Sequence, residues 1–296
     1  MGESRAYRLK TSEPLPEGAR RVARARIDHA IQELRGKTAS TPEDAVHEAR
    51  KDTKKLRALL RLMRGELGKE SFARENACFR GAARELAGAR DTDAMLETLG
   101  ALDIPAGLGW ELRKRIQAER STNGAGDRGG AARGAVAILK EARGRLDDWP
   151  LEREGFEALE DGLARTYGRG RRDFRAARDE PTVEALHEWR KRVKELWYQH
   201  TLLRPLWPAV MSAVGDEAHA LADRLGDDHD LAVLADWVRE RAAAGSGFFE
   251  AVERRRAELQ AEAFELGGRV YAEKPSAYVR RLGQLWDARA ALVRAP

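Results

Sequence analysis

Apolar residues recur along this chain at spacings of three and four, the period of an α-helix, and strand-like alternation is hard to find. The stretch from Pro42 to Gly65 shows the pattern well. Turned by about 100° per residue, it places Ala49, Leu56, Leu59, Leu60 and Met63 on one side. His47, Arg50, Lys51, Lys54, Arg57, Arg61 and Arg64 fall on the opposite arc. An apolar stripe of this kind packs into a bundle, and the cationic stripe faces outward over several turns. The same periodicity predicts helices near 18–36, 42–65, 69–99, 107–120 and 131–147. It continues near 154–178, 181–204, 206–243, 247–267 and 275–292. Ala, Leu, Arg and Glu dominate and β-branched residues are scarce, so the predicted class is all-α.

Local signals mark several boundaries. Thr41 is placed to cap the second helix, with Pro42 at its first position. Pro181 is expected to start a later helix in the same way, and Pro205 and Pro208 interrupt continuity after Arg204. Asn123 to Gly130 reads as a flexible loop, residues 1–15 as a loosely held tail, and Trp149-Pro150 as a junction.

One segment occurs twice. Asp44-Ala-Val-His-Glu-Ala-Arg-Lys-Asp-Thr-Lys-Lys-Leu56 returns 140 positions later as Glu184-Ala-Leu-His-Glu-Trp-Arg-Lys-Arg-Val-Lys-Glu-Leu196. His47/His187, Glu48/Glu188, Arg50/Arg190, Lys51/Lys191, Lys54/Lys194 and Leu56/Leu196 are identical. Further on, Leu86 and Leu225 are each followed five residues later by an aspartate, Asp91 and Asp230. A period of 140 is too long for a solenoid and implies a duplicated helical bundle, residues 16–148 and 149–296, in tandem. Folding requires only that the apolar positions repeat. Recurrence of a His, an Arg and two Lys therefore points to an anionic ligand.

Charge distribution sharpens this. The net +5 hides local excesses: residues 20–37 carry +4, 44–64 carry +4 and 165–178 carry +5, while 147–161 and 216–230 are acidic. Charged residues are 35% of the chain and no apolar run nears the ~20 residues of a membrane span. No apolar leader follows Met1, and the single cysteine, Cys78, allows no internal disulfide, so a cytoplasmic setting is expected. Arg suits bidentate phosphate contact and Lys acts as a compact charge. Taken alone, the Pro42–Gly65 stripe could be an ordinary solvated helix face. The second copy shifts the balance, although Arg57 and Arg61 become Trp197 and Thr201 there. Flanking arginines, among them Arg20, Arg24, Arg169 and Arg172, would add to the same field. No glutamates are expected to neutralise the stripe. Both repeated histidines are expected to be pH-sensitive donors that gain protons beside a phosphate. His29, His200 and His219 lack a repeat partner and read as structural.

These residues resemble the CHAD family, the conserved histidine α-helical domain. The resemblance rests on His47-Glu-Ala-Arg-Lys-Asp-Thr-Lys54 with Arg90-Asp91-Thr-Asp93, and on His187-Glu-Trp-Arg-Lys-Arg-Val-Lys194 with Leu225-Gly-Asp-Asp-His-Asp230. It implies two helical bundles about a pseudo-twofold axis and binding of inorganic polyphosphate in a basic groove between them, and with that ligand the expected cytoplasmic setting extends to polyphosphate granules. By position it implies His47, Arg50, Lys51, Lys54, Arg57, Arg61, His187, Arg190, Lys191 and Lys194 as ligands. Trp197 and Leu231-Ala232 depart from the family's pattern and weaken the second half's share. The Glu-x-Glu-x-Lys signature of the triphosphatase domain often fused to this family is absent from the sequence.

Two other functions compete. His187, His229-Asp230 and Asp236 loosely evoke a metal phosphohydrolase of the HD type, but the first copy has Arg90-Asp91 where the second has His229-Asp230, and arginine does not ligate metals. No Gly-x-x-x-x-Gly-Lys-Ser/Thr loop is present. The expectation is a binding protein without catalysis, metal or cofactor. The second competitor is a nucleic-acid binder, since a basic stripe grips any phosphate backbone. Most tryptophans sit on apolar faces, and Tyr198 alone lies near the basic arc. Other polyanions, such as an acidic protein tail, fit the same surface.

Overall fold

The computed structural model describes residues 7–38, 40–86, 91–123, 128–241 and 245–294. Among them are eleven α-helices and no strand. In chain order they are α1 (Leu15–Leu34), α2 (Pro42–Leu62), α3 (Arg64–Glu85), α4 (Asp91–Gly100), α5 (Ala106–Asn123) and α6 (Arg128–Gly144). After Trp149 follow α7 (Glu157–Asp179), α8 (Val183–Leu203), α9 (Pro208–Arg241), α10 (Ser246–Val270) and α11 (Pro275–Arg294), with a 3-10 turn at Arg204–Leu206 before α9. No helix among the described residues is long and apolar enough to cross a membrane.

The two repeat-bearing helices start alike. The Thr41 hydroxyl accepts from the Asp44 amide at 3.2 Å, with Pro42 at the first helical position. For α8 the cap is Thr182, which accepts from the Ala185 amide at 3.1 Å. Pro181 therefore precedes the cap and does not open the helix: a Thr one residue on can satisfy an orphan amide, and proline cannot. The stretch read as one helix over 69–99 is two, ending at Glu85 and resuming at Asp91. Gly68 breaks the first turn of α3 with φ 68°, a left-handed conformation that glycine takes without penalty. The Asn123–Gly130 loop is shorter than expected, because Arg128 to Gly130 already belong to α6.

Two apolar clusters form the interior. The larger draws on α1–α3, α6–α8, the first half of α9, the end of α10, and α11, including Leu56, Leu59, Trp149, Trp189, Leu196 and Leu225. The smaller joins Leu99 of α4, Leu102 of the following turn and Leu112 and Ile116 of α5 to Leu231, Leu234 and Trp237 of α9 and Phe248 and Val252 of α10. Helix α9, 34 residues and so ~51 Å long, runs through both. The packing units thus differ from the halves 16–148 and 149–296. Helices α4 and α5 belong to the first half by sequence, yet they bury their apolar faces on α9 and α10 of the second. Trp149, read as a junction, is 1% exposed within the shared core. Glycine permits the close α2–α7 approach: a Cβ at Gly162 would stand 2.0 Å from the Leu62 carbonyl.

The N-terminal reading needs correction as well. Residues 1–6 lie outside the described residues, but Tyr7 and Leu9 are core residues. The Tyr7 hydroxyl donates to the Lys55 carbonyl at 2.9 Å, and the Leu9 amide donates to the Leu202 carbonyl at 2.9 Å. Two large apolar side chains in a polar stretch bury themselves where α2 and α8 meet. Cys78 is half-buried on α3, its thiol donating to the Ile138 carbonyl and pushed up by burial.

Candidate anion-binding groove

Between the two clusters lies a groove of about 700 Å³. Helix α2 contributes His47, Arg50, Lys51 and Lys54, and α8 contributes Arg190, Lys194, Trp197 and Tyr198. The other side is built by α9 with His219, Asp223, Asp227, His229 and Asp230, by α4 with Glu97 and Thr98, and by Arg255 of α10. Repeated cations from α2 and α8 therefore border one cavity, because both helices bury their apolar stripes in the larger cluster and turn their polar arcs toward the smaller one. Arg190 reaches the wall beside Gly226, where a Cβ would stand 2.9 Å from its guanidinium.

Of the fourteen expected residues, His47, Arg50, Lys51, Lys54, Arg190 and Lys194 line the groove. His187 stands just behind it, its ring 4.4 Å from that of His229. The other seven are placed elsewhere. Lys191 pairs with Glu188 on its own helix. Arg57 donates to the Asn76 side chain at 3.1 Å, and Arg61 pairs with Glu195 of α8 at 3.1 Å. Burial first, with Arg57 and Arg192 nearby, lowers the Arg61 guanidinium to about 10 despite Glu195. Arg20 donates to the Trp149 carbonyl and Arg24 to Asp147. Arg169 and Arg172 of α7 sit around Asp173. A single-helix projection cannot see such neighbours, since Glu195, Asn76 and Asp147 arrive from other elements.

Nor is the stripe free of glutamate. Glu48 takes a hydrogen bond from Lys51 at 2.7 Å, and Glu188 does the same for Lys191. Burial acts to raise the Glu48 carboxyl, but Lys51 outweighs it and leaves the group lowered. The repeated Glu is therefore part of the constellation and holds its Lys in place three residues on.

The histidines divide by surroundings. Burial lowers His187, with His229, Lys191 and Arg190 adding to the effect. Burial and then Arg190 lower His229. Each has a buried Nδ1 without a hydrogen-bond partner, as does the Nε of Arg190. His219, read as structural, lines the groove, with Nδ1 2.7 Å from Asp223. The signal for it was available: His219, Asp223 and Asp227 are spaced by four and so share a face of α9. Arg90 lies outside the described residues, and nothing is described of the Asp91 and Asp93 side chains. No group of three or more His, Cys, Asp or Glu among the described residues is placed to share a metal ion.

The fold and groove define an all-α helical domain with a cation-rich wall built by two matched helices. The CHAD domain family model matches residues 21–239. The chain belongs to the CHAD domain family. Its fold is similar to the crystal structure of the CHAD domain from the plant Ricinus communis, at 18% identity and a TM-score of 0.63. That match covers 90% of this chain and 94% of the other. Among curated proteins none matches.

Proposed function

We propose that this protein binds inorganic polyphosphate, without hydrolysing it, along the wall formed by α2 and α8. The observation that carries the reading is that Arg50, Lys51 and Lys54 from one copy of the repeat and Arg190 and Lys194 from the other border a single cavity. Cations at three- and four-residue spacing repel weakly when alone. A chain of phosphates laid across them turns each repulsion into a charge-assisted hydrogen bond. Membership of the CHAD family supports the same ligand. His47 and the His187–His229 pair would add neutral or protonated donors along the wall. Association with polyphosphate granules in the cytoplasm follows from this reading.

Titration with polyphosphates of graded length tests it. Affinity should rise with length until one chain contacts both α2 and α8 and level off beyond that. Competition with single-stranded RNA at matched salt separates the two ligand classes, and preference for RNA would overturn the reading. Phosphate release from the bound chain would overturn its non-catalytic part.

A further inference from the structure

One wall of the groove is cationic, and the other sets three carboxylates beside Arg255. Facing the α2 and α8 cations are three carboxylates of α9, Asp223, Asp227 and Asp230. A bare phosphate chain would gain nothing from them and would be repelled. They already crowd one another: burial, with Asp223 and Asp230 close by, pushes the Asp227 carboxyl up. An aromatic group borders the same cavity. Trp197 is half-buried and stacks on Tyr198 with ring centroids 4.7 Å apart at 27°. The His219 ring stands across it, centroids 4.0 Å apart at 86°, and Asp223 lies 2.7 Å from the Nδ1 of that imidazole. The first copy of the repeat has Arg57 at this position. A cation has thus been replaced by an indole, and the indole is the one that lines the groove.

We infer that this end of the groove is a nucleoside subsite, and that the protein takes a nucleoside polyphosphate with its phosphates on the α2 and α8 cations and its base on Trp197. The inference rests on the anion-binding reading of that wall. A nucleoside offers what the second wall lacks. Its base has a π-face for the indole, and its amino groups and ribose hydroxyls are donors for carboxylates, which only accept. The cavity of about 700 Å³ falls within the roughly 300–1,000 Å³ usual for small-ligand sites. The carboxylates then act as selectivity elements, tolerating a ligand that is anionic at one end only.

Calorimetry with adenosine 5′-tetraphosphate and inorganic tetraphosphate at the same salt tests this, because the two ligands carry the same number of phosphates. The nucleotide should bind at least about tenfold tighter, a modest return for one stacked base. Trp197→Leu keeps an apolar side chain against the core. It should abolish that preference, leave inorganic tetraphosphate within about twofold, and leave the helical circular dichroism unchanged. Trp197→Arg restores the first copy's residue and should invert the preference. Equal affinity of the unaltered protein for the two ligands, while long-chain polyphosphate still binds, would overturn this inference alone. Equal weakening of both ligands by Trp197→Leu in a folded protein would do the same. Failure of all three ligands to bind would overturn the groove reading as well.

Discussion

Position 52 in α2 and position 192 in α8 are counterparts in the repeat, yet one is aspartate and the other arginine. Both are buried. Asp52 is held by Arg26 of α1 at 3.3 Å, by His29 at 2.6 Å and by Lys55 at 3.8 Å. Arg192 is held by Glu195 at 2.7 Å and by Asp173 of α7 at 3.6 Å. The next counterparts reverse in step, Lys55 against Glu195. The interior accepts either polarity provided each charge meets its opposite. Positions 50/190 and 54/194, all four of which line the groove, keep their identity instead. A buried pair can be inverted as a unit because both members belong to the protein. A charge facing the proposed anionic ligand cannot, since the ligand's sign is fixed. On the proposed reading, the same helices separate residues that answer to the fold from residues that answer to a ligand.

The largest expected effect breaks the buried side of that comparison. Asp52→Ala leaves Arg26 and His29 facing a buried void, and removal of one member of a buried pair costs about 3–5 kcal/mol. Arg192→Met should cost less, about 2 kcal/mol, because Glu195 keeps Arg61 at 3.1 Å. Urea unfolding of the two variants measures the difference. Equal losses would mean that Arg61 does not stand in for Arg192.

A second asymmetry is pH-dependent. His200 of α8 corresponds to Leu60 of α2, and both are fully enclosed. Burial, with Arg281 adding to it, pushes the His200 imidazole down to about 4. Its folded value lies below its unfolded value of about 6.5, so its contribution is fully present above pH 6.5 and is lost as pH falls toward 4. About 3 kcal/mol should disappear over that window at ~1.36 kcal/mol per unit. His200→Leu, copying the first half, should flatten this part of the stability profile. An unchanged slope in that variant would assign the acid sensitivity to other groups.

In the groove, Lys54→Glu and Lys194→Glu should each weaken long-chain polyphosphate by about tenfold or more, the equivalent of about 1.4 kcal/mol or above. Arg61→Met, on the same helical arc as Lys54, should change affinity by less than about twofold while lowering stability, because its guanidinium serves Glu195. Fluorescence competition and thermal unfolding run on all three proteins separate the two roles. Strong loss of affinity in Arg61→Met would return the whole arc to the ligand.

How much of this was legible depends on which neighbours a residue has. Helical periodicity revealed α2 and α8, the Thr41 cap and the groove-facing His47, Arg50, Lys54 and Arg190, because each depends on residues within one or two turns. Arg61 and Arg57 were misplaced because Glu195 and Asn76 come from helices 134 and 19 residues away. The α9 wall, with His219 and Asp223, was visible only as an acidic stretch, since nothing local says that α9 crosses from one apolar cluster to the other. Tyr7 and Leu9 were hidden by flanking Pro and polar residues that suggested a tail.

The smallest effect expected lies at the caps. Thr41→Ala and Thr182→Ala each remove one acceptor for an orphan amide, a loss of about 1 kcal/mol. The two helices differ just inside the cap. Helix α2 has Pro42 at its first position, which presents no amide to satisfy and already holds a helical φ, whereas α8 begins with Val183. Thr182→Ala should therefore cost more than Thr41→Ala, by a few tenths of a kcal/mol. The Thr41 hydroxyl opposes this through a second bond, donating to the Asp44 carboxylate at 2.8 Å. That bond lies at the exposed surface, where water replaces it at little cost. Thermal unfolding of the two alanine variants ranks them, and a larger loss at Thr41 would show that the carboxylate bond, and not the proline, sets the strength of the α2 terminus.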